Sequence, residues 1–214
     1  DLLYIIHDKR RRWVRKVEKD QEFHSDKGYL AYNELFGKSF GSTHLLQPNK
    51  RKVALLYPTI SDIIFHMKRE SQIIYPEDIG LILIYSQIKS GSKILEAGTG
   101  SGTVSSILAL YSQPNGFVNT FDVRQVAINQ AKKNIEQMQA GDFVEVHYGN
   151  ILEDPLSLPP QDFIMLDLAT PWYSVSKVKP FLSSKGNICL FSPTIEQVKK
   201  NVVALSDEKF NKII

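Results

Sequence analysis

The chain has 214 residues, 43% of them hydrophobic and 23% charged, with a formal net charge of +3. That length allows one ordinary domain plus a small appendage around a sizeable core, and so small a charge gives no case for nucleic-acid binding unless the cations cluster. One cysteine, Cys189 in the run NICLF, excludes an internal disulfide and a thiolate zinc site, and a buried thiol in a reducing, cytoplasmic compartment is the expectation.

The chain opens DLLYIIHDKRRR, where basic residues follow the apolar run, the reverse of a secretory signal. It starts without Met, so a fragment is expected at this end. Residues 1–68 hold short alternating segments, LLYIIHD, RRWVRKVEK, GYLAY and KVALLYP, broken by polar turns. This pattern predicts a small β-rich domain whose first helical period comes at Ser61–Lys68. Cations cluster in KRRRWVRK (Lys9–Lys16), NKRK (Asn49–Lys52) and HMKR (His66–Arg69). Such cations suit phosphates and a ring such as Trp13 suits base stacking, so RNA handling is expected of this domain.

Over residues 69–214 strands and helices alternate. Pro76, with Glu77 and Asp78 behind it, opens a helix through DIGLILIYSQI. Its apolar run is too short for a bilayer, which takes ~20 residues. KILEA is a strand and TVSSILALYSQ a helix. GFVNTFDV, DFVEVHYGN, DFIMLDL and GNICLFSP are further strands. QVAINQAKKNIEQM and TIEQVKKNVVALS are further helices. Short connections between them predict an α/β fold, a parallel sheet with helices on both faces. The closing KFNKII reads as the start of one more strand, which implies that residues beyond Ile214 belong to the fold.

The first of these strands, Ile94–Ala97, runs into Gly98, Gly100 and Gly102, a nucleotide-binding bend in open α/β sheets. The spacing is not the dinucleotide pattern, whose third glycine falls one place later. Glu96, two residues ahead, would repel a pyrophosphate and attract a cation. S-adenosylmethionine, cationic and without phosphate, fits better than a nicotinamide dinucleotide. Asp122 closes the next strand, where an acid can accept both ribose hydroxyls, with Val123 beside it. At the end of the strand after that, Asn150 is a candidate for the adenine edge and Ile151 for its face. Asp167 ends the fourth strand, followed by Trp172 and Tyr173, an arrangement suited to a planar polar ring. His7, His24, His44, His66 and His147 are scattered, and no metal site is expected.

Four stretches together resemble the tRNA adenine-N1 methyltransferase family, which modifies adenosine 58 in the T-loop. They are FHSDKGYLAYNELFGKSFGS, MKRESQIIYPEDIGLIL, ILEAGTGSG and LDLATPW. The resemblance implies a Rossmann-like open sheet of the class I methyltransferase type behind the β-rich domain. It implies S-adenosylmethionine held by Gln72, Glu96, Gly98, Thr99, Gly100, Ser101, Gly102, Thr103, Asp122, Val123, Asn150, Ile151 and Asp167. It implies Asp167 and Tyr75 as catalytic residues, a tRNA substrate and a homotetramer. The chain departs from the family pattern at Ala169, Thr170 and Asn150. Another class I methyltransferase, acting on protein carboxylates or other RNA, and a non-catalytic RNA-binding subunit remain as alternatives.

Overall fold

The computed structural model describes residues 2–69 and 72–214; Glu70 and Ser71, in the stretch MKRESQ, lie outside the described residues. The chain divides into two compact units, residues 1–67 and 68–214.

The first unit is built on strands β1 (Leu2–Ile6), β2 (Arg12–Lys16), β3 (Glu22–Ser25), β4 (Gly28–Ala31), β5 (Thr43–Leu46) and β6 (Arg51–Leu56). Four make an antiparallel sheet in the order β2-β1-β6-β5, and β3 and β4 form a separate ribbon. Tyr29 and Gln47 exchange two backbone hydrogen bonds of 2.8 Å that tie the ribbon to the sheet. Leu3, Ile5, Phe23, Leu30, Leu46, Val53 and Leu55 make the core. Trp13 packs against that core, 5.1 Å from the Phe23 ring, so it is not the free stacking ring expected above. Helix α1 (Ile60–His66) follows, opened by a capping box in which the Asp62 N–H donates to Thr59 Oγ1 and the Thr59 N–H to the Asp62 carboxylate.

The second unit places β7 (Lys93–Ala97), β8 (Phe117–Asp122), β9 (Val144–Tyr148), β10 (Gln161–Leu166) and β11 (Leu182–Leu190) in one sheet, ordered β11-β10-β7-β8-β9. All four pairings are parallel. The central strands β7 and β10 are buried along nearly their whole length, the pattern of strands covered on both faces. Helix α2 (Pro76–Ser86) precedes β7, α3 (Thr103–Ser112) and α4 (Gln125–Gln137) follow β7 and β8, and α5 (Val175–Val178) and α6 (Ile195–Asp207) flank β11, with no helix between β9 and β10 among the described residues.

The chain starts this sheet in the middle, at β7, and runs outward through β8 to β9. It then returns to lay β10 on the other side of β7. That reversal leaves a crevice at the carboxyl ends of β7 and β10, where such sheets bind ligands. Cys189 lies on the edge strand β11, only partly buried, and burial still pushes its thiol up to about 11. Residues 210–214 form no strand, contrary to the expectation for KFNKII. No described helix is long and apolar enough to cross a membrane.

Candidate functional site

A cavity of about 220 Å³ opens at this reversal. Gln72, Ile73 and Ile74 close one side. The bend after β7 forms another with Gly98, Thr99, Gly100 and Ser101, and α3 adds Thr103 and Val104. Glu96, Arg124 and Asp167 supply its charges. A smaller cleft in the first unit, about 160 Å³ between Leu3, Phe36 and Phe40, carries Lys38 and no acid.

The glycine bend is shaped by two close approaches. Gly98 has φ 96°, and an added Cβ would stand 2.0 Å from the backbone oxygen of Asp167. Its lack of a side chain thus admits the β10 strand end, not a ligand. Gly102, φ 76°, lets α4 close in: a Cβ there would meet Ala131 and Ile135 at 3.1 Å. Asn134, 2% exposed, locks the bend from behind. Its amide donates to the carbonyls of Ser101 and Lys68, both at 2.8 Å. Thr99 and Thr120 share a buried hydroxyl contact of 2.7 Å, and Ser101 and Thr103 one of 2.8 Å.

Four of the bend's N–H groups donate inside the protein. Gly98 and Thr99 donate to the Phe121 carbonyl, Gly100 to the Asp122 carboxylate and Gly102 to the Thr99 carbonyl. A pyrophosphate needs such donors free. The cavity lining carries the carboxyl groups of Glu96 and Asp167 and one arginine, Arg124, which is itself paired with Asp122. This donor set fits a cationic nucleoside and rejects a polyphosphate.

The three acids differ in environment. Glu96, 1% exposed, accepts hydrogen bonds from the Ser105 and Thr120 hydroxyls. Burial dominates, and its pKa is raised to about 7. Burial also works against the charge of Asp122, but Arg124 and the Gly100 N–H more than offset it and hold its carboxyl below the ordinary value. Asp167 is exposed to the cavity, yet the loss of solvent around it raises its pKa, with Arg124 opposing.

The remaining candidates are placed unevenly. Tyr75 caps the start of α2, half exposed and outside the lining of the cavity. Val123 is 53% exposed beside Asp122 and is available to a purine face. Ile151, 3% exposed, packs among Leu95, Ile164 and Leu166, so it is a core residue and not the cover expected for that face. Asn150 builds a turn: its Oδ1 accepts from the Leu152 N–H at 3.0 Å, and its own N–H donates to Asp154 at 2.6 Å. Past Asp167, the Trp172 face is covered by the Lys200 ammonium at 4.7 Å, and Tyr173 is exposed. Sequence reasoning missed Arg124 and Asn134. The signal for Arg124 was its place two residues after a strand-end acid; an asparagine on an amphipathic helix gave none. No cluster of three or more metal-ligating side chains occurs among the described residues.

The chain is 33% identical to the tRNA (adenine(57)-N(1)/adenine(58)-N(1))-methyltransferase TrmI of Methanocaldococcus jannaschii, over 92% of this chain and 71% of that protein. A SAM-dependent O-methyltransferase from Thermotoga maritima superimposes with a TM-score of 0.87 at 26% identity, covering 97% of this chain and 77% of that one. The tRNA (m1A58) methyltransferase TrmI from Aquifex aeolicus does so at 0.78 and 25% identity, covering 97% and 80%. The model of the family described as tRNA methyltransferase complex GCD14 subunit matches residues 52–214, and the chain belongs to that family.

Proposed function

We propose that this protein transfers a methyl group from S-adenosylmethionine to N1 of adenosine 58 in the T-loop of tRNA. The observation that carries the reading is the single cavity joining the buried Glu96, the internally bonded glycine bend and the solvent-facing Asp167. The TrmI relatives and the family match favour N1 of tRNA adenosine as the acceptor.

When bound, the cofactor supplies an electrophilic methyl carbon on a sulfonium. Glu96, with Gln72 and the bend from Gly98 to Thr103, would hold its charged amino-acid end. Asp122 would take the ribose hydroxyls, and Val123 would lie against the adenine.

Adenine N1 carries no proton at neutral pH, so no base is needed before attack. The protein's task is alignment, which supplies much of the lowering of the barrier. As the bond forms, the base becomes a cation. Asp167 accepts a hydrogen bond from the exocyclic amine and stabilises that charge in a partly dehydrated cavity. Tyr75 and Tyr173, both exposed, are the candidates to stack on the target base. In a folded tRNA that base must first leave its stack, at a cost of a few kcal/mol.

The first unit would bind the rest of the tRNA through its cations. Arg11 there pairs with Asp8 at 2.7 Å and Lys16 with Glu18 at 3.0 Å. Lys9, Arg10 and Arg12 are the better candidates for phosphates. A homotetramer working in the cytoplasm completes the proposal.

The test is incubation with labelled S-adenosylmethionine and unmodified tRNA, followed by nucleoside mass analysis. N1-methyladenosine at position 58 is expected. An O-methylated nucleoside, the product that the Thermotoga neighbour's name would suggest, overturns the choice of acceptor. Label in protein, or in nothing, overturns the proposal.

A further inference from the structure

Asp122 has two carboxylate oxygens and so about four acceptor positions. Among the described residues, four donors point at them. One oxygen accepts from the Arg124 backbone N–H at 2.9 Å and from Arg124 Nε at 3.2 Å. The other accepts from the Gly100 N–H at 3.0 Å and from an Arg124 terminal nitrogen at 3.2 Å. A ribose diol brings two hydroxyl donors to the same carboxylate. It finds no vacant acceptor.

We propose that the Arg124 guanidinium holds the two positions on Asp122 that the cofactor's ribose requires, so that cofactor binding displaces it and its grip sets the affinity of the site. The inference rests on the reading of Asp122 as the ribose acceptor.

Three features make the guanidinium, and not the backbone donors, the group that yields. Its two bonds, at 3.2 Å, are longer than the 2.7–2.9 Å usual for a charged N–H on a carboxylate. Its side chain is 53% exposed, whereas that of Asp122 is 4% exposed, so the arginine can return to solvent and the acid cannot. The Arg124 backbone is fixed independently as the N-cap of α4, its carbonyl accepting from the Ile128 N–H at 3.1 Å. The side chain can therefore swing while the Arg124 and Gly100 N–H groups stay and keep Asp122 ionised. The other charged groups facing the cavity, Glu96 and Asp167, are acids, so the released guanidinium keeps favourable neighbours.

An arginine that merely supports Asp122 makes the opposite prediction to one that competes for it. S-adenosylhomocysteine is titrated calorimetrically into the wild type, Arg124→Met and Arg124→Lys, and the series is repeated with an analogue lacking both ribose hydroxyls. Competition gives Arg124→Met roughly fivefold tighter binding of the first ligand, the size of a half-exposed ion pair, with Arg124→Lys between. It gives no gain for the analogue. Equal or weaker binding of S-adenosylhomocysteine by both variants, or an equal gain for the analogue, overturns the proposal. Absence of binding by all three proteins overturns it together with the cofactor reading, which separates that failure from a failure of the arginine's role alone.

Discussion

A Cβ on Gly98 would stand 2.0 Å from the backbone oxygen of Asp167 and 2.9 Å from its carbonyl carbon. The bend after β7 and the end of β10 are thus in backbone contact, which the Asp167 N–H reinforces by donating to the Ala97 carbonyl at 2.9 Å. Gly98→Ala must push the two apart and also hold alanine at φ 96°. We expect a loss of about 3 kcal/mol of stability by urea denaturation. Methyl transfer should fall further than cofactor binding, because Asp167 moves with its backbone. A stable, fully active Gly98→Ala protein would contradict this contact.

Glu96 titrates out of its ordinary range, and that has a sign. Its pKa rises from 4.5 unfolded to about 7 folded, so between these values the folded state keeps a proton that the unfolded chain has released. The group's contribution is complete below about pH 4.5 and is lost as pH rises through about 7. The loss is on the order of 3 kcal/mol. Glu96→Gln cannot ionise. Urea denaturation of the cofactor-free proteins should show the variant gaining roughly that amount on the wild type between pH 4.5 and pH 8. Parallel pH profiles would mean that Glu96 is ionised throughout.

Asp167→Asn should separate chemistry from binding. The side chain is exposed to the cavity, and neutralising it relieves a group whose pKa is already raised by dehydration. Stability should stay within about 0.5 kcal/mol of the wild type or rise. S-adenosylhomocysteine affinity should change little, and the single-turnover methylation rate should fall by about 10²- to 10³-fold. Undiminished turnover would remove Asp167 from the reaction.

Asn134→Ala tests the support behind the bend. It removes the amide that satisfies the Ser101 and Lys68 carbonyls, at a cost of about 2 kcal/mol for the acceptors left without a donor. Cofactor binding should weaken as well, since Ser101 lines the cavity. Asn134→Asp, which supplies an acceptor where a donor is needed, should be worse than alanine. Stability equal to wild type in both variants would show the amide to be dispensable.

The order of elements in the second unit was legible because its central strands are largely apolar runs, glycines mark the end of β7, and helices α4 and α6 are clearly amphipathic. The bend and the three strand-end acids could be picked out for the same reason, being chemical punctuation between such runs. What the sequence hid depends on contacts distant in the chain. Asn134 reads as one polar residue among many on α4, and only the folded position of Ser101 gives it a purpose. Ile151 and Trp13 looked like ligand surfaces because large apolar side chains next to polar ones suit either a site or a core. The four-residue strands β3 and β5 were missed because a half-exposed strand that short carries almost no alternation. KFNKII has the residues of a strand and none of the pairing.

The glycine bend has one consequence for a crowded solution of metabolites. Four of its amides are already committed to Phe121, Asp122 and Thr99, so abundant nucleotides such as ATP meet the carboxylates of Asp122 and Asp167 and find few donors to grip. Immunity to those rivals comes built into the loop's own bonding, and it would persist through any change of acceptor chemistry that left the loop untouched.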